Sequence, residues 1–205
     1  VGTGNFHERT ARIYGDLSLI TADEKIGMEV AKVFQILESE TPNLNRRFKE
    51  LLVSPINTRT RIINLIKNEI QAAKRGERAE IFIKLNNLTD TEMIEWLYKA
   101  SNAGVKIQLQ VRGICSLIPG IPGMSENIEA ISIVDRYLEH PRIYIFANGG
   151  EPVIYISSAD FMTRNLDSRV EVTCPIYDQE IKQELLDTFE IGWKGNVKAR
   201  LHSEN

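Results

Sequence analysis

The stretch from Ile81 to Val111 constrains the fold most. Ile81, Ile83 and Leu85 alternate with polar or bulky neighbours, and Val105, Ile107, Leu109 and Val111 alternate strictly. A period of two sends successive side chains to opposite faces and marks a strand. Between the two runs, Thr89 and Glu92 predict a capped helix start, Met93, Leu97 and Ala100 share one helical face, and Gly104 ends it. Two strands separated by a helix pair in parallel through a crossover. The loop Gly113–Asn127 follows the second strand directly, with Pro119, Pro122 and three glycines. It lies at the carboxyl end of a sheet strand, where open α/β sheets place their ligands.

The rest of the chain extends this α/β reading. Thr21 and Glu24 predict a capping box, after which Ile26, Val30, Val33, Phe34 and Leu37 recur at helical spacing. Ser39–Arg47 is polar, contains Pro42 and reads as a linker. Leu51-Leu52-Val53 is a short apolar run stopped by Ser54-Pro55. A helix is expected next, with Ile62, Ile66 and Ile70 inward and Arg59, Arg61, Lys67 and Lys74 outward. Further strands are expected near Ile128–Val134, Arg142–Phe146, Val153–Ile156 and Arg169–Cys174. A closing helix carries Ile181, Leu185, Phe189 and Trp193 on one face. The expected domain boundary is near residue 50.

With 205 residues, 42% hydrophobic and 26% charged, the chain has enough apolar material for a real core. Its net charge of −3 is not that of a general nucleic-acid binder, although a local basic site is compatible with it. Cys115 and Cys174 are too few for a disulfide framework and lack metal-ligand spacing, which fits reduced thiols and a cytoplasmic location. The opening Val1-Gly2-Thr3-Gly4-Asn5 reads as a tight loop whose backbone N–H groups suit an anion. Such a loop normally follows a strand, so the chain is expected to belong to a longer protein.

Three histidines occur, His7, His140 and His202. His7 and His202 lie in polar surroundings and read as solvated. His140 precedes an apolar strand and is flanked by Arg136 and Arg142, a setting that suits phosphoryl chemistry, although spacing alone favours a plain strand-edge histidine. The arginines predict a lowered imidazole pKa through like-charge repulsion, which Glu139 opposes. Arg112 ends a strand beside Gly113 and fits either bidentate phosphate contact or a salt bridge. Tyr14 fits a base-stacking ring or a core tyrosine. Ser157-Ser158-Ala159-Asp160, with Arg164, Asn165 and Arg169 beyond, reads as an oxyanion pocket or as an ordinary turn.

The ordered segments Gly2–Phe6, Thr10–Tyr14, Leu17–Asp23, Val111–Cys115, Ile131–His140 and Ser157–Asp160 resemble the carboxyl-terminal part of long-form bacterial polyphosphate kinases. The resemblance runs essentially end to end. It implies a phospholipase-D-like mixed sheet flanked by helices, in residues 51–205, preceded by the tail of a first such domain in residues 1–50. It implies that Tyr14 packs on an ATP base, that Arg112 and His140 contact nucleotide and phosphate, and that Arg142 and Arg169 add phosphate-binding charge. His140-x-Arg142 also resembles the second half-motif of the phospholipase-D-like superfamily, with arginine where many relatives have lysine.

The implied parent reaction is reversible transfer of the ATP γ-phosphoryl group to polyphosphate through a phosphohistidine upstream of these residues. The isolated chain is then expected to be inactive. Mg2+ would accompany the nucleotide, and ATP or ADP and polyphosphate would be the partners. No nucleic acid is expected, the longer protein is expected to be a cytoplasmic homo-oligomer, and its peripheral membrane association stays open. The alternatives are a phospholipase-D-like hydrolase or nuclease, which needs two His-x-Lys motifs, and a non-catalytic phosphate-binding module.

Overall fold

The computed structural model describes residues 1–41, 43–133, 138–195 and 199–201. In chain order the elements are α1 (Glu8–Ala11), β1 (Tyr14–Gly15), α2 (Glu24–Leu37), β2 (Leu52–Ser54), α3 (Thr58–Lys74), β3 (Glu80–Leu85), α4 (Thr91–Asn102), β4 (Lys106–Val111) and β5 (Ile128–Ile133). There follow β6 (Leu138–Glu139), β7 (Arg142–Phe146), β8 (Val153–Ser157), α5 (Thr163–Asp167), β9 (Glu171–Ile176), α6 (Gln179–Lys194) and β10 (Ala199–Leu201).

Eight strands form one mixed sheet in the order β10-β5-β4-β3-β7-β8-β9-β2. β3, β4 and β5 run parallel, with Leu85 opposite Val111 and Leu109 opposite Ala130. The crossover expected from the sequence is therefore present. β7 runs antiparallel to β3, and β8 antiparallel to β7, so β8 ends on the same edge as β3 and β4. A separate parallel ribbon pairs β1 with β6, setting Tyr14 beside Leu138 and Gly15 beside Glu139.

The alternation read from the sequence sorts the core into two layers. Ile81, Ile83, Leu109, Tyr144 and Phe146 face α3 and α4, meeting Ile62, Ile66, Met93 and Leu97. Ile143, Ile145, Ile154 and Ile156 face the other way, against Ile26, Val33, Leu185 and Phe189 of α2 and α6. Across residue 50, where the sequence places a boundary, one apolar cluster is continuous. The junction is held by Glu29, whose buried carboxylate accepts the Lys49, Glu50 and Leu51 backbone N–H groups at 2.6, 3.1 and 2.8 Å.

Several details differ from the sequence expectation. The α2 cap is Asp23, which accepts the Ile26 N–H at 2.9 Å, while Thr21 accepts the Asp23 N–H instead. Likewise Asp90, not Thr89, caps α4 by accepting the Met93 N–H at 3.1 Å. A carboxylate is the stronger partner for the positive end of a helix. Arg59 is not simply outward, since it ion-pairs with Asp90, Glu92 and Asp167 and ties α3 to α4 and α5. The strand expected from Arg169 starts at Glu171, and Val134, Arg136 and His202 lie outside the described residues.

Candidate functional site

The carboxyl ends of β3, β4 and β8 meet the amino end of β7 at one edge of the sheet, where the β1–β6 ribbon lies across them. Pro141 fixes the geometry locally. The residue before a proline is driven to extended backbone, so His140 continues β6 while the chain turns into β7. The His140 N–H donates to the Gly15 carbonyl at 3.2 Å, completing the ribbon.

The His140 imidazole is mostly buried, with 18% of its side chain exposed. Nδ1 lies 2.7 Å from Asp16 Oδ1, and Nε2 lies 3.1 Å from Arg142 Nη1. Arg142 Nη1 is also 3.4 Å from Nδ1, so it sits over the ring face and not on the in-plane Nε2 lone pair; the Asp16 contact assigns Nδ1–H as the donor and leaves Nε2 as the acceptor nitrogen of the neutral ring. The Tyr14 ring meets the imidazole edge-on, with centroids 4.8 Å apart. Burial holds the His140 pKa below its usual value, reinforced by the charges of Arg142 and Arg112 and opposed by Asp16. The direction matches the sequence expectation, but desolvation leads and the opposing carboxylate is Asp16 rather than Glu139.

Arg142 is buried and committed. Nε and Nη2 reach the two Asp160 oxygens at 3.1 and 3.3 Å, and Nη1 donates to the Thr3 carbonyl at 2.7 Å. Asp160 also accepts the Asn86 N–H at 2.9 Å and the Asn87 side-chain amide at 3.1 Å. Burial alone would raise the Asp160 pKa, but the bonds and charge of Arg142, with the Asn86 and Asn87 donors, hold it below the usual carboxylate range. Arg112 is different. Its Nε donates to Asn86 Oδ1 at 2.7 Å, and among the described residues it has no carboxylate partner. Among the described residues the Arg112 charge therefore meets a neutral amide and no carboxylate, and it acts electrostatically on His140.

Two glycines are explained by close approach. A Cβ at Gly113 would lie 2.9 Å from the Asn86 carbonyl, and one at Gly4 would lie 2.1 Å from Asp16 Oδ2. The opening loop, read as an anion cradle, therefore makes room for the His140 partner. The Thr3 N–H is spent on the Leu17 carbonyl at 2.9 Å.

Tyr14, His140 and Arg142 thus come together, with the Arg112 charge acting on His140, whereas Arg169 is not bonded into this network among the described residues. It is exposed in the turn after α5, and among the described residues its side chain has no bond to this cluster. The Ser157–Asn165 segment forms a turn rather than an oxyanion pocket: Ser157 bonds Thr173, while Ser158 and Asn165 bond Glu171. Asp16, Asn86, Asn87 and the partner role of Asp160 were missed. Asn86 and Asn87 carry one usable sign, since they directly follow a parallel strand at its carboxyl end.

A mixed sheet between helix layers is a fold shared with phospholipase D family members. The solved Nuc protein from Salmonella typhimurium, titled a phospholipase D family member, has this fold (TM-score 0.56, 14% identity, 76% of this chain and 97% of that one). Residues 51–205 match Polyphosphate kinase C-terminal domain 2, and residues 1–43 match Polyphosphate kinase C-terminal domain 1. The chain belongs to the polyphosphate kinase family. It is 55% identical over 201 residues to a polyphosphate kinase of Vibrio parahaemolyticus and 51% identical over 200 residues to that of Escherichia coli K12, covering 98% of this chain and 29% of each relative. The crystal structure of polyphosphate kinase from Porphyromonas gingivalis superposes with TM-score 0.93 at 46% identity, over 98% of this chain and 31% of that one. The chain therefore spans under a third of the length of these relatives.

Proposed function

We propose that these residues form the nucleotide- and phosphate-handling part of an ATP:polyphosphate phosphotransferase. The observation that carries this reading is the pairing, at one sheet edge, of an Arg112 guanidinium that meets no carboxylate among the described residues with an Asp16-held neutral imidazole. Fixed positive charge facing the reacting oxygens stabilises charge that develops during phosphoryl transfer. His140 then accepts or returns a proton at Nε2, the ring nitrogen that is not bonded to Asp16. Asp16 holds the tautomer and stabilises the imidazolium, as the buried aspartate does in a catalytic triad. Tyr14, edge-on to His140, presents its ring to the nucleotide base.

The covalent phosphohistidine step belongs, by the family resemblance, to a histidine outside these 205 residues, so this chain alone is expected not to make polymer. Magnesium is assigned to the nucleotide as part of the substrate. Among the described residues no three His, Cys, Asp or Glu side chains cluster as a metal site, and Asp160 is already committed to Arg142. Among the described residues no helix is long and apolar enough to cross a membrane. A cytoplasmic, self-associating longer protein without a nucleic-acid partner completes the reading.

The test is incubation of the longer protein with γ-labelled ATP. Acid-labile label on the protein together with labelled polymer supports the kinase, while released phosphate or cut diester supports the hydrolase and refutes it. In that protein His140→Ala should cut transfer strongly without unfolding it. His140→Gln should recover part of the rate if hydrogen bonding is the role, and none if proton transfer is.

A further inference from the structure

Lys84 lies in the middle of the sheet, 5% exposed, on the face covered by α6. Its register partners are Gln110 in β4 and Ile143 in β7. Its Nζ lies 3.2 Å from Gln110 Oε1 and 2.8 Å from Glu139 Oε2. Gln110 is itself fixed, donating to the Phe189 carbonyl of α6 at 2.7 Å. Taking an ammonium out of water costs several kcal/mol, and an apolar residue of this size commonly serves stability as well or better. The best-attested use of such a buried pair is to fix register.

The location of Glu139 says what is being fixed. It belongs to β6, in the ribbon rather than in the eight-stranded sheet, and immediately precedes His140. The ribbon carries Tyr14, with Asp16 just beyond it. Among the described residues, Lys84–Glu139 is the ion pair that joins a ribbon strand to a sheet strand. The other ties noted there are uncharged at one end: Arg142 to the Thr3 carbonyl, and Asn86 to the His140 carbonyl at 3.4 Å. Neighbouring strand residues point to opposite sides. Holding Glu139 down onto the sheet therefore turns His140 the other way, toward Asp16 and Arg142.

We infer that Lys84 is a positioning residue: its ion pair with Glu139 sets the rotation of the ribbon strand and so holds the His140 ring against Tyr14 and Asp16. The catalytic consequence rests on the function proposed above, whereas the tether does not.

Histidine-labelled NMR of the 205-residue chain tests the tether, because three imidazoles give a simple spectrum. The Tyr14 ring at 4.8 Å should displace the His140 ring-proton shifts, and Tyr14→Leu calibrates the displacement. Lys84→Met should remove at least half of it in a folded chain. Glu139→Ala should do the same from the partly exposed end of the pair, and it decides the matter if Lys84→Met does not fold. Unchanged His140 shifts in either folded variant overturn the proposal. In the longer protein, Lys84→Met should lower polymer formation at least tenfold in kcat, and a wild-type rate would overturn the positioning role. If the wild-type protein makes no polymer, the functional reading fails while the NMR still decides the tether.

Discussion

Replacing Asp160 with alanine should be among the most destabilising single changes at this edge of the sheet. The carboxylate is 4% exposed and receives five donors: Arg142 Nε and Nη2, the Asn86 N–H, and the Asn86 and Asn87 side-chain amides. Its removal leaves the Arg142 guanidinium, itself 8% exposed, without its carboxylate partner. Breaking one side of a buried ion pair costs about 3–5 kcal/mol. For a chain of this size each kcal/mol lowers Tm by roughly 2–4 °C, so a drop of roughly 10 °C is expected. Urea unfolding followed by circular dichroism gives the free energy directly. Arg142→Met combined with Asp160→Ala should cost less than the sum of the single changes, with a coupling of about 2 kcal/mol. The pH dependence has a defined sign. Because the folded pKa of Asp160 is depressed, its contribution is present above the ordinary value of 3.8 and is lost as pH falls through the folded pKa. The stability gap between wild type and Asp160→Asn should therefore narrow in acid. A loss below about 1 kcal/mol with additive single changes would show that the pair is not what holds Arg142, and the reasoning would fail.

Three further outcomes are expected. Arg112→Ala in the longer protein should lower phosphoryl transfer at least tenfold, about 1.4 kcal/mol of transition-state stabilisation, with little change in Tm; retained activity with a lower Tm would make Arg112 structural. Glu29→Gln should destabilise the chain by about 2 kcal/mol in urea unfolding, since an amide nitrogen would face one of the N–H groups that the carboxylate now accepts. Gly4→Ala should push the Asp16 carboxylate off His140, which NMR would register as loss of the Nδ1 hydrogen bond; an unchanged imidazole signal would refute the close approach.

The fold was legible where it rests on local periodicity. The alternation of Val105–Val111, the helical spacing of Ile62, Ile66 and Ile70, and the crossover between β3 and β4 follow from short-range rules, and the structure reproduces them. Helix starts were displaced by one or two residues because Thr21 and Thr89 each stand near an aspartate that caps better. The opening loop has a second use that the sequence reading did not include. Two glycines suggest an anion cradle, but glycine also appears where another group needs the space, and here that group is Asp16.

At the site the cations were legible and the groups that neutralise them were not. Arginine and histidine near strand ends draw attention in a sequence, whereas the carboxylate that pairs with each is chosen by the tertiary fold. Asp16 is 124 residues from His140, and the Thr3 carbonyl is 139 residues from Arg142. That missing half decides which cation is free to act. Arg142 and Arg112 look equivalent in the sequence, yet the first has its charge taken up by Asp160 and the second meets a neutral amide. In the proposed function, an incoming phosphate anion is therefore drawn first to Arg112. Arg142 serves chiefly to hold His140 and the opening loop in register, and it can take a substrate oxygen only by giving up a bond it already makes.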